Sequence, residues 1–248
     1  MARSRPLTRD AVIAQAVALA DESGVASLSM RALAARLGVE AMSLYHHVAG
    51  KDALLDAMVD SVFAEIRSPR PGAAWHSELR ERALSARTVL LRHRWAVGLM
   101  DSRRNPGPAT LAHHDAVLGC LLGDGFDLAG TATAVALLDA QLYGFVLQEL
   151  SLPFGTEHEL AAIGEAILVP EVRAAYPHFT AFATGHALQP GYAFGEEFER
   201  TLELTLDAVA RLRRTPSPPA PSGCRRPGPP YPEVCRREGW VVVVKPAG

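Results

Sequence analysis

Residues 28–54 read LSMRALAARLGVEAMSLYHHVAGKDAL, two short apolar-periodic segments joined at Gly38. Met30, Leu33, Ala34 and Leu37 repeat at helical spacing behind Ser29, a good N-cap, and Gly38 can take the positive φ that ends a helix abruptly. The second segment, about 41–47, is too short and too polar to exist for packing alone. Ala34, Gly38 and Leu44 stand where a helix-turn-helix needs a small contact residue, a tight turn and an apolar anchor. A short helix propped at an angle by its neighbour is a common device for reading a DNA major groove.

With Leu44 and Val39 turned inward, the remaining positions face out. Ser43 and Tyr45 can bond phosphates or base edges, and His46 and His47 can donate to either. Ala41 and Met42 offer apolar contact, for example to a thymine methyl. Lys51 opens the next helix, where its charge and the helix N-terminus both favour phosphate, and Arg31 points to the same side.

Around this motif the pattern is helical throughout, so the expected fold is all-α. A basic arm, residues 1–7 with Arg3 and Arg5, precedes a helix capped by Thr8 and ended near Gly24. A fourth helix from Lys51 carries the stripe Leu55, Met58, Val59, Val62, Phe63 and Ile66. The run from Ser68 to Gly72, rich in proline, reads as a loop between a DNA-binding head, 1–66, and a larger body, 67–214, for effector binding and dimerisation. In the body, helices are expected near 74–93, 94–102, 108–123, 128–151, 157–167, 170–183 and 194–213. No period-2 alternation supports a sheet. Residues 215–248 are Pro-rich with disordered composition, and Trp240 to Val244 is a short β-prone patch with no assigned role.

The chain has 248 residues and a formal net charge of −2, so it is no general magnet for nucleic acid. The charge is uneven: residues 1–51 carry six Lys/Arg against four Asp/Glu, and 211–248 carry eight against two, leaving an acidic middle. That suits docking by one end. Three cysteines, Cys120, Cys224 and Cys235, form neither a disulfide framework nor a metal-like CxxC, which points to a reducing cytoplasm. No apolar run reaches the ~18 residues of a membrane span, and no signal peptide is evident, so no membrane partner is expected.

Residues 7–66 resemble the DNA-binding domain of the TetR family of transcriptional repressors. The likeness rests on LSMRALA at 28–34, Leu37-Gly38-Val39, SLYHHV at 43–48 and GKDALL at 50–55. A looser likeness, YAFGEEFERTL at 192–202, resembles the closing helix of the subgroup with a tetracycline-repressor-like C-terminal domain. The resemblance implies a cytoplasmic all-α homodimer that represses transcription from a near-palindromic double-stranded operator and is released by a small-molecule effector, with no enzymatic activity and no cofactor. It assigns Arg31, Ala41, Met42, Ser43, Tyr45, His46, His47 and Lys51 to DNA. For the dimer it favours a four-helix interface built from Ala136, Ala140 and Gly144 with Phe198, Leu202, Leu206 and Val209. Internal core is the competing reading of those stripes.

Candidates to line an effector pocket are Trp75, Leu90, Trp95, Leu99, Met100, Tyr143, Leu147, Gln148, Phe179 and Phe182, each of which fits core packing equally well. Met100 and Gln148 fall where the tetracycline repressor ligates its metal–drug complex through a histidine and a glutamate. Neither suits Mg²⁺, so the expected effector is apolar or neutral and no metal is expected. An enzyme reading would rest on His113-His114-Asp115. Adjacent helical side chains diverge by about 100°, and a solvated face is the simpler expectation. No nucleophile elbow, Walker loop or GxGxxG accompanies it.

Overall fold

The computed structural model describes residues 7–100 and 102–213. The expected arm, 1–7, lies outside the described residues but for Leu7, as does the tail at 215–248. Helices α1 (Arg9–Ser23), α2 (Met30–Leu37) and α3 (Ala41–Leu44) form the head with the first half of α4 (Lys51–Glu65). The body contains α5 (Trp75–Arg92), α6 (Pro108–Gly123), α7 (Leu128–Ser151), α8 (Glu157–Ile167), α9 (Pro170–Ala175), α10 (Pro177–Phe182) and α11 (Glu197–Ala210). Among the described residues there is no strand.

Local chemistry sets the head's geometry. Thr8 Oγ1 accepts from Ala11 N at 3.2 Å and Ser29 Oγ from Ala32 N at 3.1 Å, so α1 and α2 begin on side-chain caps. Gly38 sits at φ +67°, and the turn is closed by Gly38 N donating to Ala35 O and Val39 N to Ala34 O. This is the left-handed exit that only glycine adopts cheaply. Leu28, Leu33, Ala34 and Leu44 then bury against Val12, Ala16, Leu54 and Met58. The second motif helix is shorter than expected. It ends at Leu44, and residues 45–47 continue as a turn, with His47 N and Val48 N both donating to Leu44 O.

A second apolar cluster fills the body. Leu79, Ala86 and Leu90 of α5 meet Val117 and Leu121 of α6, Leu138 and Leu142 of α7, and Phe198, Leu202 and Leu206 of α11. Helix α4 belongs to both clusters, with Leu54, Leu55 and Met58 in the head core and Val59, Val62 and Phe63 in the body core. Head and body therefore do not part cleanly at residue 66. The loop after α4 is clamped by buried Glu78. Its carboxylate accepts from Arg70 N, Nε and Nη2 at 2.7–3.0 Å and from Arg67 Nη2 at 2.9 Å. The Arg70 guanidinium first, then the Arg70 N–H and Arg67, hold its pKa down to about 2 against the opposing effect of burial.

Two expectations fail in the body. The helix expected at 94–102 is a turn from 94 to 100, with Ala96 N donating to His93 O at 2.8 Å and Leu99 N to Ala96 O at 2.7 Å. His93 leaves helical geometry (φ −105°, ψ 61°) where its ring and Trp95 reach Asp21. Against the expectation that no apolar run reaches a membrane span, the 24 residues of α7 are long and apolar enough by length and composition. Its Ala134, Leu138, Leu142 and Val146 pack inside the body core instead.

Candidate nucleic-acid interface and effector region

The head presents the expected outward set on and beside α3. Met42 is 72% exposed and Tyr45 47%, while Leu44 between them is fully buried. Arg31, His46 and Lys51 are exposed, and Ala41, Ser43 and His47 are half-buried. One buried leucine thus aims its neighbours outward. Arg36, also on α2, is engaged elsewhere: it donates to both oxygens of Glu22 at 2.6 Å and to Gln15 at 3.0 Å.

Sequence reasoning missed the polar seam that ties head to body. Trp95 Nε1 donates to Asp21 Oδ1 at 2.7 Å, and the buried His93 ring lies 2.8 Å from Asp21 and 3.3 Å from Glu65. Arg92 also pairs with Glu65. Farther along α4, Asp60 accepts from Thr110 N at 2.8 Å and Thr110 Oγ1 at 2.9 Å, so a head-side helix caps the first turn of α6. The approach is close enough that a Cβ on Gly107 would lie 2.2 Å from Asp60 Cγ. The i, i+4, i+8 spacing of Asp52, Asp56 and Asp60 was the legible signal.

The ten effector candidates do not converge. Trp75, Leu90 and Met100 are buried in the body core, and Tyr143 packs against it. Trp95 and Leu99 pack at the junction of the two cores. Leu147 and Gln148 lie exposed on α7, and Phe179 and Phe182 lie exposed on α10. A cavity of about 450 Å³ opens elsewhere, lined by Leu152, Phe154, Leu160, Tyr192 and Phe194 with Glu149 and Glu157 at its polar side. None of the ten lines it. Nothing in the local pattern marks it, because the wall is made by residues 191–195 folding back on the end of α7.

His113 also departs from expectation. It is 2% exposed, not part of a solvated face. Its Nε2 accepts from Arg82 Nε at 3.0 Å, and Arg82 Nη2 pairs with Asp139 at 3.0 Å. Burial first, then the Arg82 charge and His114, push the His113 pKa down to about 3, so the ring is neutral. His113 Nδ1 is buried without a partner. No group of three His, Cys, Asp or Glu among the described residues is placed to hold a metal ion.

The dimer set divides. Phe198, Leu202, Leu206 and Val209 are all 0% exposed within one protomer and belong to its own core, so they cannot meet a partner. The period-3.6 stripe on α11 is simply its buried face. Ala136 and Ala140 are exposed and Gly144 half-buried, on the outer face of α7. The outer face of α11 offers Leu204, 69% exposed, beside Ala208.

Comparison with known proteins agrees with this architecture. Residues 12–58 match the family model of bacterial regulatory proteins of the tetR family, and residues 68–212 match the tetracyclin repressor-like C-terminal domain. An HTH-type transcriptional regulator of Saccharopolyspora erythraea is 34% identical over 210 residues, covering 84% of this chain and 87% of that protein. The class A tetracycline repressor of Escherichia coli is 33% identical over 190 residues, covering 75% and 88%. Among solved structures, the TetR family protein ActR of Streptomyces coelicolor in complex with actinorhodin superposes with a TM-score of 0.68. It is 25% identical, covering 84% of this chain and 98% of that one.

Proposed function

The chain belongs to the TetR family of bacterial regulatory proteins, and on that premise we propose that it is a cytoplasmic homodimeric repressor, released from a near-palindromic operator by a small molecule. The observation that carries this reading is α3. Its buried Leu44 anchors a helix whose neighbours Met42, Tyr45 and His46 stand exposed beside Lys51. Two such surfaces on a dimer would enter successive major grooves about 34–36 Å apart. Arg31, Ala41, Ser43 and His47 complete the set, with Tyr45 and Lys51 on phosphates.

The dimer is formed by the outer faces of α7 and α11, through Ala136, Ala140 and Gly144 with Leu204. Small residues at i, i+4 allow close helix approach there, and covering that face removes the apolar surface α7 leaves exposed. The effector enters the body and prefers a state whose heads are wrongly spaced for DNA. It is apolar or neutral: Met100 is buried and Gln148 is an exposed amide, so neither supplies the hard charged oxygens of a metal-bound drug.

Footprinting on DNA upstream of its own gene tests the proposal. Two protected half-sites, with affinity falling steeply as salt rises, are the expected result. Weak protection spread evenly over all sequences would overturn it.

A further inference from the structure

The segment 102–107 meets α4 through polar groups. Arg103 Nε donates to Asp56 Oδ1 at 2.6 Å. Arg103 Nη2 donates to the Asp52 carbonyl at 3.0 Å and lies 3.6 Å from its carboxylate. Asn105 Nδ2 donates to Asp56 Oδ2 at 3.2 Å. A body loop is thereby drawn down to the first two turns of α4, the helix that Lys51 begins. Arg104 shares a groove of about 330 Å³ with Asp52, Asp56, Ser102 and Asn105. It is exposed and makes no hydrogen bond or ion pair among the described residues.

The charges at this place decide what the loop does. Lys51, Asp52 and Asp56 alone give the first two turns of α4 a net −1, at the end that faces phosphate in the reading above. A negative charge there repels DNA. Arg103 offsets one of the two aspartate charges, and Arg104 then turns the balance of these five side chains to +1.

We propose that residues 102–105 of the body are part of the DNA interface, with Arg103 bridging Asp52 and Asp56 and offsetting one of their two charges, and Arg104 contacting a backbone phosphate beside the one that meets Lys51. Successive phosphates on one strand lie about 3.4 Å apart along the axis, so a neighbouring phosphate is available to a second cation at this helix end. The inference rests on the DNA-binding reading and goes beyond it, because it makes the effector-binding body itself a DNA contact. The same segment leads into α6, whose first turn Asp60 caps. A shift of α6 then alters a phosphate contact directly, without passing through the head core.

The test is fluorescence anisotropy of the full chain on a labelled duplex carrying the footprinted upstream sequence, repeated over a series of NaCl concentrations. Each lost phosphate contact lowers the slope of log K against log salt by about 0.9, so Arg104→Ala in a dimer lowers it by about 1.8. Lys51→Ala should do the same, Arg104→Lys should restore the slope, and Arg200→Ala on α11 should leave it unchanged. Arg104 has no hydrogen bond or ion pair among the described residues to lose, so the variant keeps the wild-type melting temperature. A wild-type slope for Arg104→Ala, beside a reduced one for Lys51→Ala, overturns the inference and leaves the operator reading intact. Wild-type protein without sequence preference overturns that reading, and the inference with it.

Discussion

Replacing Leu44 and Tyr45 in turn separates what holds the reading helix from what the helix does. Leu44 is fully buried in the head core, and α3 is only four residues long, so this side chain is its anchor. Truncating a buried leucine to alanine costs about 2.7–5 kcal/mol. A one-turn helix can settle partly into the space, which places Leu44→Ala near the low end, about 3 kcal/mol. Helix α4 belongs to both cores, so head and body melt together. For a unit of this size each kcal/mol lowers the melting temperature by about 2–4 °C, giving a fall of about 6–12 °C. Tyr45 is half exposed, and its side chain makes no hydrogen bond among the described residues. Tyr45→Ala should therefore stay within about 0.5 kcal/mol of wild type, under about 2 °C, yet weaken binding to the upstream duplex. Thermal melts by circular dichroism, paired with anisotropy on the same preparations, read both quantities. If Tyr45→Ala melts as early as Leu44→Ala, or binds DNA like wild type, the geometry has been misread.

Gly38→Ala should cost about 1–2 kcal/mol in urea unfolding, purely from left-handed backbone, because a Cβ there meets nothing within 4 Å; Asn at this position should cost less. Acid should destabilise the protein through two groups whose windows overlap between about pH 3 and 4.5. The unfolded chain takes up both protons more readily, so stability falls from pH 6.5 toward about 3 through His113 and from 4.5 toward about 2 through Glu78. Urea midpoints measured across pH should lose the first limb in His113→Asn and the second in Glu78→Gln. Ala140→Arg should yield folded monomer by light scattering with unchanged helix content, whereas Leu206→Ala should lower the melting temperature and leave the dimer intact.

The head was legible because its signals are local. Caps at Thr8 and Ser29, a glycine stop at Gly38 and one anchoring leucine act within a few residues of one another, and each has a single structural solution. The body helices were legible for the same reason, but their faces were not. Phe198, Leu202, Leu206 and Val209 show the periodicity of an apolar stripe, and a stripe reads alike whether it meets its own chain or a second one. What separates the cases is tertiary: α11 spends that stripe on α5 and α7, leaving Leu204 outside. The helix expected at 94–102 failed because Asp21, more than seventy residues earlier, draws in both His93 and Trp95. His113 looked solvated beside His114 and Asp115 because its partner Arg82, and the Asp139 that holds Arg82, lie on two other helices.

A further set of distant polar contacts shares one address, helix α4. Glu65, Asp60, Asp56 and Asp52 place four carboxylates along α4, and each is held by a body group: His93 and Arg92, Thr110, Arg103 with Asn105, and Arg103 again. Apolar packing between α4 and α6 can slip by small amounts at little cost. Directional bonds to the half-buried carboxylates of Asp56 and Asp60 cannot, because each must be kept or broken as a unit. A helix fixed in this way along its length responds to the body in discrete steps. Under the proposed effector release, a ligand that favours one arrangement of residues 93–100 and 102–110 would set the tilt of α4, and in a dimer the spacing of two α3 helices, by choosing which of these bonds is made.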